Sequence, residues 1–362
     1  MPPLSVFVHI LLYNSALPAL RRCLDSLLAQ EPFSDGATLT LCVADNASHN
    51  DSFEQISSEF QGRASFYRNT QNLGFCAGHN KGAAIFLKSS AEYLLVLNPD
   101  VALAPNALAA LAHSLARDEG VGAATPKLLR ADDNLVPLVP AVMDAAGMYM
   151  TPSLRHFDRG SEQSPAATFE GDCAVFGGTG ACLLLKRAFV EDVSLQGERY
   201  ERESELVYPQ LAYERESRCA LFDEAFFAYR EDADLAWRGQ YLGWKCCYVA
   251  TALAYHKRVV TSERRSQLPA ILNSLGVRNR FLLQLNNYRF CGWESFVKGI
   301  LLRNLVVVLA VLLWEHPSIA AFGELWRLRR RALERRAILK RRARVSVQEI
   351  GRWFRGNVTA RP

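Results

Sequence analysis

The sequence predicts an α/β fold, in which a mostly parallel sheet is flanked by helices and followed by a helical, membrane-associating C-terminal extension. Short apolar runs alternate with helical patterns through the first third of the chain, which is typical of βαβ units. The last third is helical in pattern and ends in a strongly basic segment. With 362 residues, 49% hydrophobic and 22% charged, the chain has a globular composition, which excludes a disordered chain or a polytopic membrane protein.

The first third of the chain supplies the predicted sheet. Apolar runs of strand length predict buried parallel strands at 4–13, 38–45 and 92–98. Helical patterns predict helices that begin at Pro18, near Gly78 and near Ala104. Farther along, residues 126–172 are predicted to form loops and a hairpin over the ligand site. Residues 176–187 are predicted to form a glycine-rich turn that enters a buried strand. Residues 196–218 are predicted to form a solvated, Glu- and Arg-rich insertion.

Polar side chains stand at the ends of these strands. Tyr13 and Asn14 end the first strand, Asp45 closes the second, and Asn98 and Asp100 follow the third. In parallel sheets, ligands bind beyond the carboxyl ends of the strands, so we expect these side chains to face one site. The carboxylate of Asp100 suits a hard cation that in turn holds a diphosphate. The alternative is an ordinary turn with the aspartate as a helix N-cap.

The segment 72–82, NLGFCAGHNKG, combines glycines with hydrogen-bonding side chains near a predicted helix N-terminus. Gly74 allows a close backbone approach, and Asn72 and Asn80 offer polar groups, a combination that suits an anionic or nucleotide ligand. It is not a Walker loop, because no GK[ST] follows the second glycine. The alternative is a plain glycine-rich connection between a strand and a helix.

Acidic and aromatic residues concentrate at 222–244, FDEAFFAYREDADLAWRGQYLGW. If a helix begins near Asp232, Asp234 and Arg238 are i,i+4 neighbours that can pair. Asp232 and its neighbour Glu231 then lie at the helix start, where a carboxylate facing the cleft can act as a general base towards an acceptor hydroxyl. An N-capping aspartate with a surface ion pair is the alternative.

His256 follows a strand-like stretch, KCCYVATALAY. A histidine at a strand end can complete a metal site with Asp100, although a lone histidine is also compatible with a structural role. We therefore expect Asp45, Asp100, Asp232 and His256 to gather around a single crevice.

The positive charge lies at the C-terminus. Residues 327–362 carry thirteen Lys or Arg and two acidic residues, so the net charge of +5 leaves −6 on residues 1–326. Nucleic acid is therefore not a predicted partner. The apolar stretch 296–314 is interrupted by Lys298, Arg303 and Asn304, too short a run for a spanning helix, which needs about 20 apolar residues. An interfacial helix followed by a basic one is typical of a monotopic anchor on an anionic membrane; the alternative is a solvated helix that packs on the domain.

Two features predict a cytoplasmic catalytic body. The nine cysteines include no CxxC pair and no zinc-ligand spacing, which favours a reducing compartment. The N-terminal residues lack the basic region of a secretory signal.

Five motifs occur in an order that resembles the family 2 glycosyltransferases, specifically the rhamnosyltransferase-like branch of the GT-A enzymes. They are the strand end Tyr13-Asn14, VADNAS at 43–48, NLGFCAGHN at 72–80, LNPDV at 97–101 and EDADLAWR at 231–238. The resemblance covers roughly residues 4–285. It implies a Rossmann-like GT-A domain at 1–290, with a nucleotide-binding half at 1–125 and an acceptor and catalytic half at 126–290. The composition predicts a separate helical, amphipathic and polybasic region at 291–362.

The resemblance also implies roles for individual residues. The nucleotide-sugar donor would be bound by Tyr13, Asn14, Asp45, Asn72, Gly74, Asn80 and Asn98. Asp100 takes the place of the last aspartate of a D-x-D motif and would bind Mg²⁺ or Mn²⁺ and the diphosphate, with His256 as a second ligand. Asn98 stands where many relatives have the first aspartate of that motif. Asp232 would be the base, supported on the acceptor side by Glu231, Asp234 and Arg238.

The implied activity is an inverting, metal-dependent transfer of a sugar, for example rhamnose or another deoxyhexose. The acceptor would be a hydroxyl of a cell-surface glycan or of a lipid-linked molecule, at the cytoplasmic face of the membrane. A non-catalytic nucleotide-sugar-binding or scaffold protein of the same fold is the alternative, and the intact EDADL stretch argues against it. A nucleotidyltransferase would need a basic glycine-rich loop after the first strand, which NSALPALRR is not.

Overall fold

The computed structural model describes residues 4–31, 36–195, 204–212, 218–258, 270–289 and 294–354. Most of the predicted insertion at 196–218 lies outside these ranges. The strands are β1 (Ser5–Leu12), β2 (Thr38–Asp45), β3 (Ser65–Arg68), β4 (Tyr93–Leu97), β5 (Val101–Leu103), β6 (Val121–Arg130), β7 (Met143–Ala145), β8 (Met148–Met150), β9 (His156–Asp158), β10 (Cys173–Val175), β11 (Cys182–Lys186) and β12 (Lys245–His256).

A ten-stranded mixed sheet forms the centre of the molecule. Its main order is β10-β12-β6-β11-β4-β1-β2-β3, with β5 paired to β12 and β7 to β6. Strands β4, β1, β2 and β3 run parallel, and β11 lies antiparallel between β4 and β6. The predicted α/β class is confirmed, and so is the hairpin in the middle of the chain, which β8 and β9 form.

The register of the parallel strands brings their carboxyl ends to one edge. Leu12 pairs with Asp45, Asp45 pairs with Arg68, and Ile10 pairs with Leu97. The polar residues that follow β1, β2 and β4 consequently leave the sheet on the same side.

Helices cover both faces of the sheet, and alternate strand residues enter separate cores. On β1, Val8 and Ile10 belong to one apolar cluster and Phe7 to the other, which is the period-two pattern of a strand buried on both faces. The helices of the described residues are α1 (Leu17–Leu28), α2 (Ser52–Glu59), α3 (Gly74–Lys88), α4 (Ala107–Arg117), α5 (Arg187–Val193), α6 (Glu231–Tyr241), α7 (Ala270–Asn287), α8 (Val297–Leu313), α9 (Ala320–Arg342) and α10 (Val347–Gly351). Helix α3 begins at Gly74, four residues earlier than predicted.

The C-terminal helices pack against the rest of the protein. Helix α9 contacts α7 and α6, and its Arg331 and Arg335 are buried. Arg331 pairs with Asp223, and Arg335 pairs with both Asp223 and Asp234. One face of the basic segment therefore packs on the domain, which is the alternative that the sequence left open. Across the described ranges, no helix combines the length and the apolar character that a membrane span requires.

Candidate active site

A cleft of about 860 Å³ is lined by residues that follow β4, end β12 and begin α6. Its volume lies in the range of small-molecule sites. Of the residues predicted from the sequence, those that line it are Asn98, Asp100, Glu231, Asp232 and His256. The structure thus brings Asp100, Asp232 and His256 to one cleft. Asp45 is not among its lining residues.

His256 lies between two carboxylates. Its Nδ1 is 2.8 Å from Oδ2 of Asp144, and its Nε2 is 3.6 Å from Oδ1 of Asp100. Burial alone would lower the pKa of His256, but the neighbouring carboxylates of Asp100 and Asp144 raise it to about 9. Burial alone would raise the pKa of Asp144. The hydrogen bond from His256 and the charge of Arg258 nevertheless hold the pKa of that carboxyl below its usual value. The imidazole is therefore fixed by Asp144, with Nε2 turned towards Asp100.

The environment of Asp100 fits a divalent cation. Its Oδ1 is buried and has no hydrogen-bond partner within the described ranges, and it faces Nε2 of His256. The described residues contain no group of three or more His, Cys, Asp or Glu side chains that could hold a metal alone. One carboxylate and one imidazole suit a cation that completes its coordination with phosphate oxygens and water. The imidazole would release its Nε2 proton when the cation binds.

Asp232 lies in the first turn of α6 and faces the same cleft. Its Oδ2 accepts a hydrogen bond from the Gly180 amide at 3.3 Å, and its Oδ1 accepts from the Ala233 amide at 2.8 Å. Burial and the nearby charge of Asp158 raise the pKa of Asp232 to about 6. This carboxylate is consequently more basic than an ordinary aspartate and is still ionised at neutral pH.

Glu231 precedes Asp232 and is also buried. Its Oε2 has no hydrogen-bond partner among the described residues. Burial and the Asp232 charge raise the pKa of Glu231 well above its usual value. At the start of α6, the ionisation of one of these two carboxyl groups therefore disfavours the ionisation of the other.

A second polar region lies where β1 and β2 end. Asp45 is buried, and its Oδ2 accepts from Nε of Arg68 at 2.7 Å and from the Ser48 amide at 3.0 Å. Its Oδ1 has no partner within the described part of the chain. The Ser48 hydroxyl in turn accepts from the Asn14 amide at 2.8 Å, and Tyr13 beside it is 47% exposed. Tyr13, Asn14 and Asp45 thus lie together at this edge of the sheet.

Asn72 joins this region through Asn46. Its Oδ1 accepts from Nδ2 of Asn46 and from the Gly74 amide, both at 2.9 Å. Gly74 has a φ of +74°, and a Cβ there would lie 2.5 Å from Cδ2 of Phe227. Only glycine satisfies both the left-handed backbone and this close approach.

A family model described as glycosyl transferase family 2 matches residues 7–192, just over half of the chain. The chain belongs to glycosyl transferase family 2. The match does not distinguish the rhamnosyltransferase-like branch. A comparison with curated proteins finds no matching sequence.

Three solved structures are similar to this chain to different degrees. The structure of GalNAc-T7 with UDP, GalNAc and Mn²⁺ matches 81% of this chain with a TM-score of 0.54 and 13% identity. The match covers 49% of that protein, so this chain spans about half its length. The mannosyltransferase PcManGT from Pyrobaculum calidifontis, in complex with GDP-Man and Mn²⁺, matches 92% of this chain and 84% of its own, with a TM-score of 0.49 and 15% identity. TarS 1–349 from S. aureus matches 97% of this chain and 89% of its own, with a TM-score of 0.48 and 15% identity. The first of these likenesses supports the GT-A fold alone.

Asn80 has a structural place in this glycosyltransferase. It is buried, and its amide donates to the Phe222 carbonyl at 2.9 Å and to Oε1 of Glu224 at 3.1 Å. Its Oδ1 accepts from the Phe222 amide at 2.7 Å. The side chain therefore ties α3 to the segment before α6, and it does not line the cleft.

Asp234 and Arg238 form the predicted i,i+4 ion pair, at 2.9 Å, but both side chains are fully buried instead of lying at the surface. Asp234 also accepts from Nδ2 of Asn287 at 2.8 Å and from Arg335 at 3.2 Å. The pair is thus placed to anchor α6 beneath the cleft, out of contact with an acceptor.

Sequence reasoning missed the residues that shape the approach to α6. Phe227, Tyr229 and Arg230 have φ values of 64°, 71° and 74°, a left-handed conformation that costs on the order of 1–3 kcal/mol for each residue other than glycine. Asn279 of α7 donates from Nδ2 to the Tyr229 carbonyl at 2.9 Å, and the preceding Arg278 donates to the Ala225 and Phe226 carbonyls, both at 2.9 Å. The adjacent Arg278-Asn279 pair within the helical pattern was the available sequence signal.

Proposed function

We propose that this glycosyltransferase transfers a sugar from a nucleoside-diphosphate donor to a hydroxyl of a glycan or lipid-linked acceptor, with inversion at the anomeric carbon. The observation that carries the proposal is the shared cleft, in which the base candidate Asp232 faces the same space as Asp100 and His256.

Asp232 is suited to remove the acceptor proton. Because its pKa is raised to about 6, it is ionised at neutral pH and yet accepts a proton more readily than a solvated aspartate. The Gly180 and Ala233 amides fix the direction of the carboxylate. One base and one in-line displacement invert the anomeric centre, and no covalent nucleophile is required.

Donor binding divides between the two polar regions. Asp100 and His256 would hold Mg²⁺ or Mn²⁺, which when bound would offset the negative charge that develops on the leaving diphosphate. The Oδ1 atom of Asp45 is a buried acceptor without a partner in the described residues. It would accept a hydrogen bond from an N–H group of the nucleotide base. Asn72 and Gly74 fix the backbone beside it.

The finer assignments have separate support. Rhamnose or another deoxyhexose as the transferred sugar rests on the sequence resemblance. Peripheral association with the cytoplasmic face of the membrane rests on the apolar and basic composition of the C-terminal helices. A lipid-linked or cell-surface acceptor follows from that location.

The test is a transfer assay with purified full-length protein, a panel of nucleotide-sugars that includes deoxyhexose donors, and Mg²⁺ or Mn²⁺. We expect release of the nucleoside diphosphate and, by NMR, a product of inverted configuration. Asp232→Asn and Asp100→Ala should each lower transfer by about 100-fold or more, while Asp118→Asn, at an exposed ion pair with Lys245, should not. Transfer that survives both active-site substitutions would refute the mechanism. Donor binding without turnover on any acceptor would favour the non-catalytic alternative.

A further inference from the structure

Helix α8 is apolar on its outward side as well as on its inward side, where Ile300 and Val311 are buried. Its Asn304 also faces inward, where Nδ2 donates to Oε1 of Gln284 at 2.8 Å and Oδ1 accepts from Nε of Arg280 at 3.2 Å. Six leucines of this helix are each at least 45% exposed: Leu301, Leu302, Leu305, Leu309, Leu312 and Leu313. We call these six residues the leucine face. A soluble helix normally buries such a stripe and exposes its polar residues.

Exposed aromatic and basic side chains are also found after α8 and on α9. Trp314 directly after α8 is 78% exposed, and Trp326 on α9 is 67% exposed. Tryptophan is enriched where a membrane meets water. The exposed charged residues of α8 and α9 are all cations, namely Lys298, Arg327, Arg330, Lys340 and Arg341.

Charge decides between two occupants of this surface, a bilayer and a second copy of the chain. Lys298 is exposed three and four residues before Leu301 and Leu302, on the same side of α8. A two-fold dimer places the same patch against itself, so it would bring this cation towards its own copy. An anionic bilayer instead provides an apolar region in which the leucines can be buried and negative headgroups that attract the cations.

We propose that the leucine face of α8 is the membrane contact of this glycosyltransferase, inserted at the level of the headgroups of an anionic leaflet. The inference rests on the membrane association in the proposed function and assigns it to particular residues. It also moves the contact away from Arg331 and Arg335, since these arginines are buried in ion pairs with Asp223 and Asp234.

The experiment is co-sedimentation of the full-length protein with vesicles of phosphatidylcholine alone or with one third phosphatidylglycerol. The test variant carries Leu305→Asp and Leu309→Asp. The matched control is Leu28→Asp, an exposed leucine of α1. Because each aspartate replaces an apolar side chain that would be buried in the bilayer, we expect the double variant to lose tenfold or more in partition to the anionic vesicles. The control should bind like wild type.

Two co-sedimentation results would overturn the inference: wild type that stays in the supernatant with anionic vesicles, or a double variant that still sediments like wild type. It would also be overturned if light scattering showed a dimer for wild type and a monomer for the double variant. Donor turnover is measured in the same preparations to separate the proposals. Vesicle binding without turnover would refute the reaction and keep the membrane contact, whereas turnover without vesicle binding would do the reverse.

Discussion

Asp144 holds His256 through a 2.8 Å hydrogen bond between its Oδ2 and the ring Nδ1. Because Arg258 and His256 keep the Asp144 carboxyl ionised, it can only accept, so Nδ1 carries the proton. This hydrogen bond leaves Nε2 turned towards Asp100, 3.6 Å away. A carboxylate behind a histidine ligand is the usual way in which proteins orient that ligand.

We therefore expect Asp144→Ala to weaken Mn²⁺ binding by about 10–100-fold, because the ring of His256 loses its orienting partner. Asp144→Asn should cost less, since the amide oxygen can still accept from Nδ1. Binding is measured by isothermal titration or by electron paramagnetic resonance of free Mn²⁺, so no turnover is needed. Asp118→Asn is the matched control at an exposed ion pair. Equal Mn²⁺ affinity in all four proteins would show that Asp144 has no positioning role.

Asp232→Asn should lower kcat by about 10²–10⁴-fold, the usual contribution of a general base. The isosteric amide retains one acceptor oxygen for the Gly180 or Ala233 amide, so the donor Kd should stay close to that of wild type. Single-turnover transfer and calorimetric titration with the donor measure the two quantities separately. A variant that loses donor affinity in proportion to kcat would assign Asp232 to binding.

The same carboxylate predicts the pH dependence of the wild-type enzyme. The ionised form of Asp232 is the active one, and its pKa is raised to about 6. The value of kcat/KM should accordingly be level above that pH and fall by about tenfold per pH unit below it. The profile is measured at saturating Mg²⁺, with coupled enzymes replaced by direct product detection. A flat profile down to pH 4.5 would exclude Asp232 as the base.

The sequence predicted the site best where each residue carries a local signal. Asp100 and His256 follow strands that are recognisable from their own composition, and parallel strands end at one edge of a sheet. Asp144 lacks such a signal, because it lies on a three-residue strand in an irregular segment and its partner is 112 residues away.

Composition likewise predicted the basic C-terminal segment but not the neutralisation of its charges. Arg331 and Arg335 meet Asp223 and Asp234, roughly a hundred residues earlier in the chain. A count of cations gives the net charge of a segment, whereas burial depends on which face of the helix packs. Asn80 shows the same limit, since a glycine-rich motif does not indicate which of its polar residues turn towards the core.

Glu231 offers a test of stability that is independent of catalysis. Its pKa is raised well above the usual value by burial and by Asp232, so the folded state binds a proton that the unfolded state releases above about pH 4.5. Wild-type stability should fall as the pH rises above that value, and Glu231→Gln, which stays neutral, should escape the loss. Urea unfolding should show an advantage for the variant that is larger at pH 8 than at pH 5. Glu119→Gln, at an exposed position, should show no such trend, and a constant difference across this range would contradict the burial argument.

Arg335 should be important for stability although it lies in the predicted membrane segment. Its guanidinium is buried, 3.3 Å from Asp223 and 3.2 Å from Asp234, so Arg335→Met would leave two buried carboxylates with less compensation. Removing one partner of a buried ion pair typically costs about 3–5 kcal/mol, and the remaining arginines beside each aspartate place the expected loss near the lower value. Arg341→Met, at an exposed position of the same helix, should change the free energy of unfolding by less than about 0.5 kcal/mol. Because Asp234 lies two residues after Asp232, the Arg335 variant should also lose transfer activity. The free energies of unfolding of both variants are measured in urea. Equal midpoints would mean that the ion pairs of Arg335 do not stabilise α6.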